Sequence, residues 1–340
     1  MGIRRGTSPA ENYDSHSILC HCLSPMSHAS HQRLSAPLII ARVFFVLLCL
    51  ALAGLMVFHQ QVPDLLGLGL VVDNLAPWAG LGIPVLLVIA LVVRGRASFI
   101  GLLVPVVVWS VLFGSSFIPH AKYAPQASLE VATQNVHESA GLQAARELAA
   151  SGAQVITLQE IGQGQEEQIS QELSQTHPYR YMVSTVGVWS AYPLKNAQPL
   201  DLGLGWNRAL RVDVSTEHGD VRLYAVHAAS ARPTGHHERD AMLASLANYV
   251  QADDSAKIIA AGDFNATSTD RHFAPVLDAL DEAAYSDWGL AMTWPRSPFP
   301  VLGIDHMMLR GVASADLKRL PIGDSDHYAL QATIDLDNAQ

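Results

Sequence analysis

Three long apolar runs dominate the first 118 residues, and they restrict the fold more than anything else in the chain. Residues 37–58, 75–93 and 98–118 are almost free of charge. A helix needs roughly 17–25 mainly apolar residues to cross a bilayer, and each run has that length. Arg42 sits near the start of the first run, where its long side chain can reach back to the interface. Pro84 and Pro105 are tolerated in membrane helices more readily than in soluble ones. The first run begins too late for a cleaved signal peptide, and two more runs follow it. Three such runs so close together are hard to bury in a soluble core. A fourth apolar stretch, residues 65–72, is too short to cross. The expectation is a membrane domain of three transmembrane helices over residues 36–118.

The basic residues orient these helices. Arg4, Arg5 and Arg33 precede the first run, and Arg94 and Arg96 separate the second from the third. The intervening loop, 59–74, carries no Lys or Arg, only Asp64 and Asp73. Basic loops stay in the cytoplasm, so the N-terminus is expected inside and everything after residue 119 outside. Residues 1–35 read as a disordered cytoplasmic tail; Cys20-His21-Cys22 and the neighbouring histidines match no ordinary zinc spacing. Met26 offers an alternative start.

Residues 119–127 form a tether that reaches at most about 30 Å, so the remaining domain stays at the membrane surface. Its composition is that of a soluble protein. Of the chain's 21 basic and 31 acidic residues, 15 and 27 lie from Lys122 onward, a net of about −12. Domains that grip duplex nucleic acid present a basic face, so nucleic acid is a disfavoured partner. No cysteine lies beyond Cys49, which suits an oxidising exterior.

From residue 128 to 337 short strand-like runs alternate with amphipathic helices. Strands are expected at 129–136, 155–158, 179–183, 186–189, 210–214, 221–226, 258–261, 306–309 and 328–334, and helices at 140–150, 166–175 and 238–250. The turn Glu217-His218-Gly219-Asp220 between two strands signals a hairpin. Helices mixed with hairpins point to an α/β sandwich with antiparallel pairing, not a doubly wound parallel sheet.

Polar groups recur at the ends of these strands. The run Lys257–Ala261 ends in Gly262-Asp263-Phe264-Asn265. Gly, Asp and Asn are turn formers, but a rigid strand also delivers a carboxylate and an amide to one place. Gln134-Asn135, Gln159-Glu160, His227, Asp305-His306 and Ser325-Asp326-His327 end or open other strands. Six such positions suggest a single rim.

In this order, QN, LQE, Ser190-Ala191-Tyr192-Pro193, VH, GDFN, Thr293-Trp294-Pro295, IDH and SDH resemble the endonuclease/exonuclease/phosphatase superfamily over roughly residues 128–337. The resemblance implies a DNase I-like, four-layer α/β sandwich, here preceded by the three transmembrane helices. It also implies a divalent cation, Mg²⁺ with Mn²⁺ as the alternative. Glu160 would be a metal ligand, with Asn135 and Asp326 completing or supporting the metal shell. Asp263 would orient and deprotonate the attacking water. Asn265, His227 and His327 would hold phosphoryl oxygens, and Asp305 would pair with His327. Two positions depart from nuclease members: His137 stands where some carry an acidic residue, and Ala191 where a basic one is common. Both changes bear on substrate more than on chemistry.

The membrane-anchored layout resembles the VanJ type linked to glycopeptide resistance. That likeness suggests a lipid-linked pyrophosphate of the cell envelope, such as undecaprenyl pyrophosphate, as substrate. An extracytoplasmic nuclease or phospholipid phosphodiesterase is the alternative, and an inactive binding protein a third. His236 and His237 read as surface residues. Arg232 reads equally as a loop residue or a phosphate clamp. The apolar loop 295–302 is expected either to pack under the sheet, the favoured reading, or to touch lipid.

Overall fold

The computed structural model describes residues 36–338; the N-terminal tail with its histidines, Cys20 and Cys22 lies outside them. The first apolar run forms α1, Ala36–Val57. A short helix α2, Leu68–Asn74, follows in the loop. The second run is helical from Ala76 and continues as α3, Gly82–Val93; the third forms α4, Arg96–Phe113. Among the described residues, three helices are thus long and apolar enough to span a membrane. They pack through Phe45, Cys49, Leu86, Ala90 and Leu102, leaving residues such as Val85, Val92 and Val111 exposed. That inverted surface suits lipid. Arg42 lies against Gly95, in the turn between α3 and α4.

The rest of the chain forms β1, Ser128–Glu138; α5, Gly141–Ala150; β2, Val155–Ile161; and α6, Gln165–Leu173. Then come β3, Tyr179–Val183; β4, Val186–Ser190; β5, Leu194–Leu200; β6, Ala209–Thr216; and β7, Gly219–His227. The last elements are α7, His237–Gln251; β8, Ile258–Asp263; α8, Ala274–Leu277; β9, Asp281–Glu282; β10, Asp305–Arg310; β11, Ala313–Leu320; and β12, Ala329–Asp335. Two six-stranded sheets result, ordered β11-β12-β1-β2-β4-β3 and β5-β6-β7-β8-β10-β9. Only β1–β2 and β7–β8 pair in parallel; the other neighbours are antiparallel.

Alternating side chains give each sheet one face toward the other sheet and one toward helices. Leu129, Val131, Leu223 and Ile259 fill the space between the sheets. Ile156 and Leu158 meet α5 and α6 on one outer side, while Tyr224 and Ala260 meet α7 on the other. The order helix, sheet, sheet, helix is the expected four-layer sandwich. The pairs β3–β4 and β6–β7 are antiparallel neighbours, as the spacing predicts. The strands β5, β9 and β11 were not foreseen. They lie at or beside sheet edges, where polar residues replace the apolar runs that mark central strands.

Residues 119–127 run irregularly but are not free of the domain. His120 N donates to Tyr285 O, and Lys122 lies 3.1 Å from Asp316.

Candidate active site

Parallel pairing brings the C-terminal ends of β1 and β2 to one edge, with Asn135 opposite Gln159. In the second sheet the same pairing sets His227 opposite Asp263, and antiparallel β10 begins with Asp305 opposite Asp263. His327 lies just before β12. The two edges meet: Asn135 Nδ2 donates to Asp263 Oδ2 across the sheets at 3.0 Å. One cavity of about 470 Å³ is lined by Glu160, Asp263, Asn265, Asp326 and His327.

Local backbone geometry aims these groups. Gly262 has φ +146, and a Cβ there would lie 1.9 Å from Val226 O, so only glycine lets β8 pass β7 and present Asp263. Glu160 and Asn265 both occupy left-handed φ, at 53° and 49°. Such conformations are uncommon outside glycine and collect at functional sites.

Asp263 is buried. Its Oδ1 accepts from Asn265 N at 2.8 Å. Burial pushes its carboxyl up and the Asp305 charge adds to this, against His327, His227 and Asn135. Asp305 Oδ2 lies 2.8 Å from His327 Nδ1. Burial disfavours the His327 cation, but Asp305, Asp263 and Asp326 outweigh it and raise the imidazole to about 10. His327 is therefore cationic at neutral pH, and its Nε2 has no hydrogen-bond partner among the described residues. Thr293 of the TWP motif accepts from Asp305 N, and Gln134 donates to His327 O; both hold the pair in place.

Glu160 Oε1 lies 3.3 Å from His227 Nε2. Hydrogen bonding to His227 holds this carboxyl at about 2, with burial opposing and Asn135 assisting. Arg208 was missed by sequence reasoning. Its Nη2 lies 2.8 Å from Nδ1 and 2.5 Å from Nε2 of His227, so the guanidinium sits against both ring nitrogens, beside the Glu160 carboxylate. A lone arginine in a loop before β6 carries no sequence mark. Asn265 lines the cavity, but its amide donates to Ala228 O and Asp263 Oδ2. Its amide hydrogens thus meet oxygens of the protein at the cavity wall.

The acidic groups Glu160, Asp263, Asp305 and Asp326 crowd one region. Asp305 Oδ1 and Asp326 Oδ1 are buried without hydrogen-bond partners. His137 Nδ1 stands 3.8 Å from Glu160 and 3.6 Å from Asp326, between the two carboxylates. Oxygen donors from Glu160, Asp326 and Asn135 beside an orphaned carboxylate oxygen fit a hard divalent cation. Asp263, Asp305 and His327 also bring ligand-type atoms within 4.8 Å of one another, but the His327–Asp305 hydrogen bond accounts for that closeness.

The loop between α1 and α3 was also missed as part of this site. Leu70, Val71, Asn74 and Leu75 line the same cavity as the carboxylates. His236, expected at the surface, is buried because its two ring nitrogens meet Asp64 and Asp240, each at 2.7 Å. Arg232 is exposed and lines the cavity rim. The loop 295–302 packs partly against the membrane unit instead of only under the sheet, with Trp78 Nε1 donating to Val301 O at 2.8 Å.

The sequence profile described as Endonuclease/Exonuclease/phosphatase family matches residues 132–327. Truncated TDP2 from Caenorhabditis elegans is similar in structure, with 17% identity and a TM-score of 0.51, covering 61% of this chain and 97% of that one. Sphingomyelinase C from Streptomyces griseocarneus has 18% identity and a TM-score of 0.49, covering 61% of this chain and 99% of its own. A Staphylococcus aureus beta toxin variant with bound magnesium ions has 14% identity and a TM-score of 0.47, covering 61% and 99%. At these identities the likeness is one of fold. No curated protein sequence matches the chain significantly.

Proposed function

This chain belongs to the endonuclease/exonuclease/phosphatase family, and from that premise we propose that it is a membrane-anchored, metal-dependent hydrolase of phosphoric esters or anhydrides. Its substrate is a lipid-linked phosphate, such as undecaprenyl pyrophosphate, met outside the cytoplasm. The observation that carries this reading is that Asp263 and His327, the latter held by Asp305 behind it, reach one cavity with Glu160 and Asp326, and that an apolar wall closes its other side.

Asp263 holds the attacking water and takes its proton as the oxygen adds to phosphorus; its upward-shifted carboxyl suits a base near neutral pH. The His327 cation donates to a phosphoryl oxygen as negative charge builds there, and Asp305 keeps the ring oriented. Arg208, against the ring of His227, adds a second positive group on this side. The P–O bond to the leaving group breaks, releasing inorganic phosphate and the lipid monophosphate when the substrate is a lipid pyrophosphate. Mg²⁺ or Mn²⁺ held by Glu160, Asn135 and Asp326 would supply charge neutralisation at the phosphoryl group.

Orientation follows from charge and connectivity. Arg42, Arg94 and Arg96 gather at one end of the helices, and basic ends stay in the cytoplasm. Three crossings put the 59–75 loop and everything after α4 together on the opposite side, and the contacts between them agree with this. The same layout supports the VanJ-type likeness.

The test is phosphate release from undecaprenyl pyrophosphate by the purified full chain with Mg²⁺, beside an Asp263→Asn control. Release that needs Asp263 supports the reading. Cleavage of nucleic acid without release from the lipid would replace it with the nuclease alternative, and inertness toward broad phosphate esters with either metal would point to a binding protein.

A further inference from the structure

The segment between the first two membrane helices is built into the catalytic cavity. Most of its polar residues turn toward the catalytic domain. Asp73 meets Arg271 and His59; Asn74 Nδ2 donates to Asp270 at 2.7 Å, and its Oδ1 accepts from Thr267 N; Asp64 meets His236. At Gly67, φ +77, a Cβ would lie 2.1 Å from Pro233 O, so the turn before α2 is pressed against the loop that carries Arg232. These contacts hold the segment on both sides of the cavity mouth.

Its apolar residues point two ways. Leu70, Val71 and Leu75 line the cavity, where they face Leu302 and Ile304 from the catalytic domain. Leu65 and Leu66 are 72% and 89% exposed beside it. A soluble substrate gives no reason for either arrangement, because exposed leucines at a site mouth are unfavourable in water. The segment is joined at both ends to helices that can span a bilayer, so its exposed leucines lie where lipid is. The cavity is therefore divided: carboxylates and imidazole at one end, hydrocarbon at the other, with the hydrocarbon end next to the membrane.

We propose that α2 and its flanking turns are the chain-binding wall of the active site: they hold the first stretch of a substrate's hydrocarbon chain along Leu70, Val71 and Leu75 while its phosphate sits at Asp263 and His327. This rests on the phosphohydrolase reading above and adds what selects the substrate. The occupant is an amphiphile that stays partly in the bilayer, so the reaction needs no extraction of the whole lipid. Arg232 at the rim is placed to meet a second phosphate of a pyrophosphate headgroup.

The experiment uses the full chain in detergent micelles with Mg²⁺ and compares kcat/KM for geranyl, farnesyl and undecaprenyl diphosphates by phosphate release. The expected wild-type result is a rise of at least about tenfold from the shortest to the longest chain, since single methylenes in an apolar pocket discriminate by that order. Val71→Asn and, from the facing wall, Leu302→Asn should each shrink the long-to-short ratio several-fold. Because the readout is a ratio within one preparation, partial misfolding cancels. Asp263-dependent release with no chain-length preference, or a preference that both substitutions leave intact, would overturn the wall while sparing the enzyme. Release that survives Asp263→Asn, or none from any of the three diphosphates, would overturn the enzymatic reading and the wall with it. A matching preference for diacyl phosphates over diphosphates of equal chain length would keep the wall but move the substrate to phospholipid.

Discussion

Asp73, between the first two membrane helices, accepts a forked hydrogen bond from Arg271 in the loop after β8: Nε to Oδ2 at 2.5 Å and Nη2 to Oδ1 at 3.1 Å. Burial pushes the Asp73 carboxyl up, but His59 and Arg271 override it and hold it below the ordinary carboxylate range. One ion pair thus joins the segment between the first two apolar helices to the loop after β8. Arg271→Met leaves buried Asp73 with only His59 and the residue-271 backbone N–H as partners, which costs up to about 3 kcal/mol of docking. Hydrogen exchange should accelerate across residues 65–75 and little elsewhere. Unchanged protection there would show that the pair does not hold the segment.

Asp263→Asn keeps the shape of the side chain but removes its basicity. Turnover should fall on the order of 10²-fold or more, with the thermal unfolding midpoint near that of the wild type. His327→Ala should lose a similar amount through the missing donor. Near-wild-type turnover in either variant would strip that residue of its role.

His137 stands between Glu160 and Asp326, where the resemblance to nucleases would put an acidic group. His137→Asp adds a hard oxygen donor and one negative charge at that place. Mg²⁺ should bind about tenfold more tightly, as expected when ligand charge rises. Calorimetric titration reads this without substrate. Weaker or equal binding would place the cation away from His137.

Asp253, far from the catalytic edge, accepts from Arg222, Tyr224 and Ser255. Burial raises its carboxyl, yet Ser255, Tyr224 and Arg222 prevail and hold it down at about 2. A depressed folded-state value contributes stability that is present above the unfolded value near 4 and is lost as pH falls toward 2. That component amounts to roughly 2 kcal/mol. Asp253→Asn should therefore lower the unfolding midpoint of the solubilised chain at neutral pH, and the gap from wild type should narrow between about pH 4 and pH 2. A constant gap would mean the loss is one of packing alone.

Much of this protein was legible because its signals are local. Apolar length specifies α1, α3 and α4, and runs such as Lys257–Ala261 specify central strands buried on both faces. The ordered polar residues at strand ends named the rim of the candidate site, since a strand end is where a rigid backbone exposes a side chain. Edge strands were harder. Residues 194–200 include Lys, Asn, Gln and Pro, and only pairing to β6 makes them a strand.

The sequence alone determined three helices long and apolar enough to span a membrane, an α/β sandwich after them, and the carboxylates and imidazoles of a candidate site, because hydrophobic periodicity and side-chain chemistry are properties of short stretches. The tertiary structure alone decided that Arg208 backs His227, that Asn265 spends its amide inside the protein, and that α2 walls the cavity. Those facts depend on contacts between residues up to about 200 positions apart, such as Asp73 with Arg271. No local pattern encodes such a pair. It forms only when the three apolar helices and two facing sheets bring the segments to the same side.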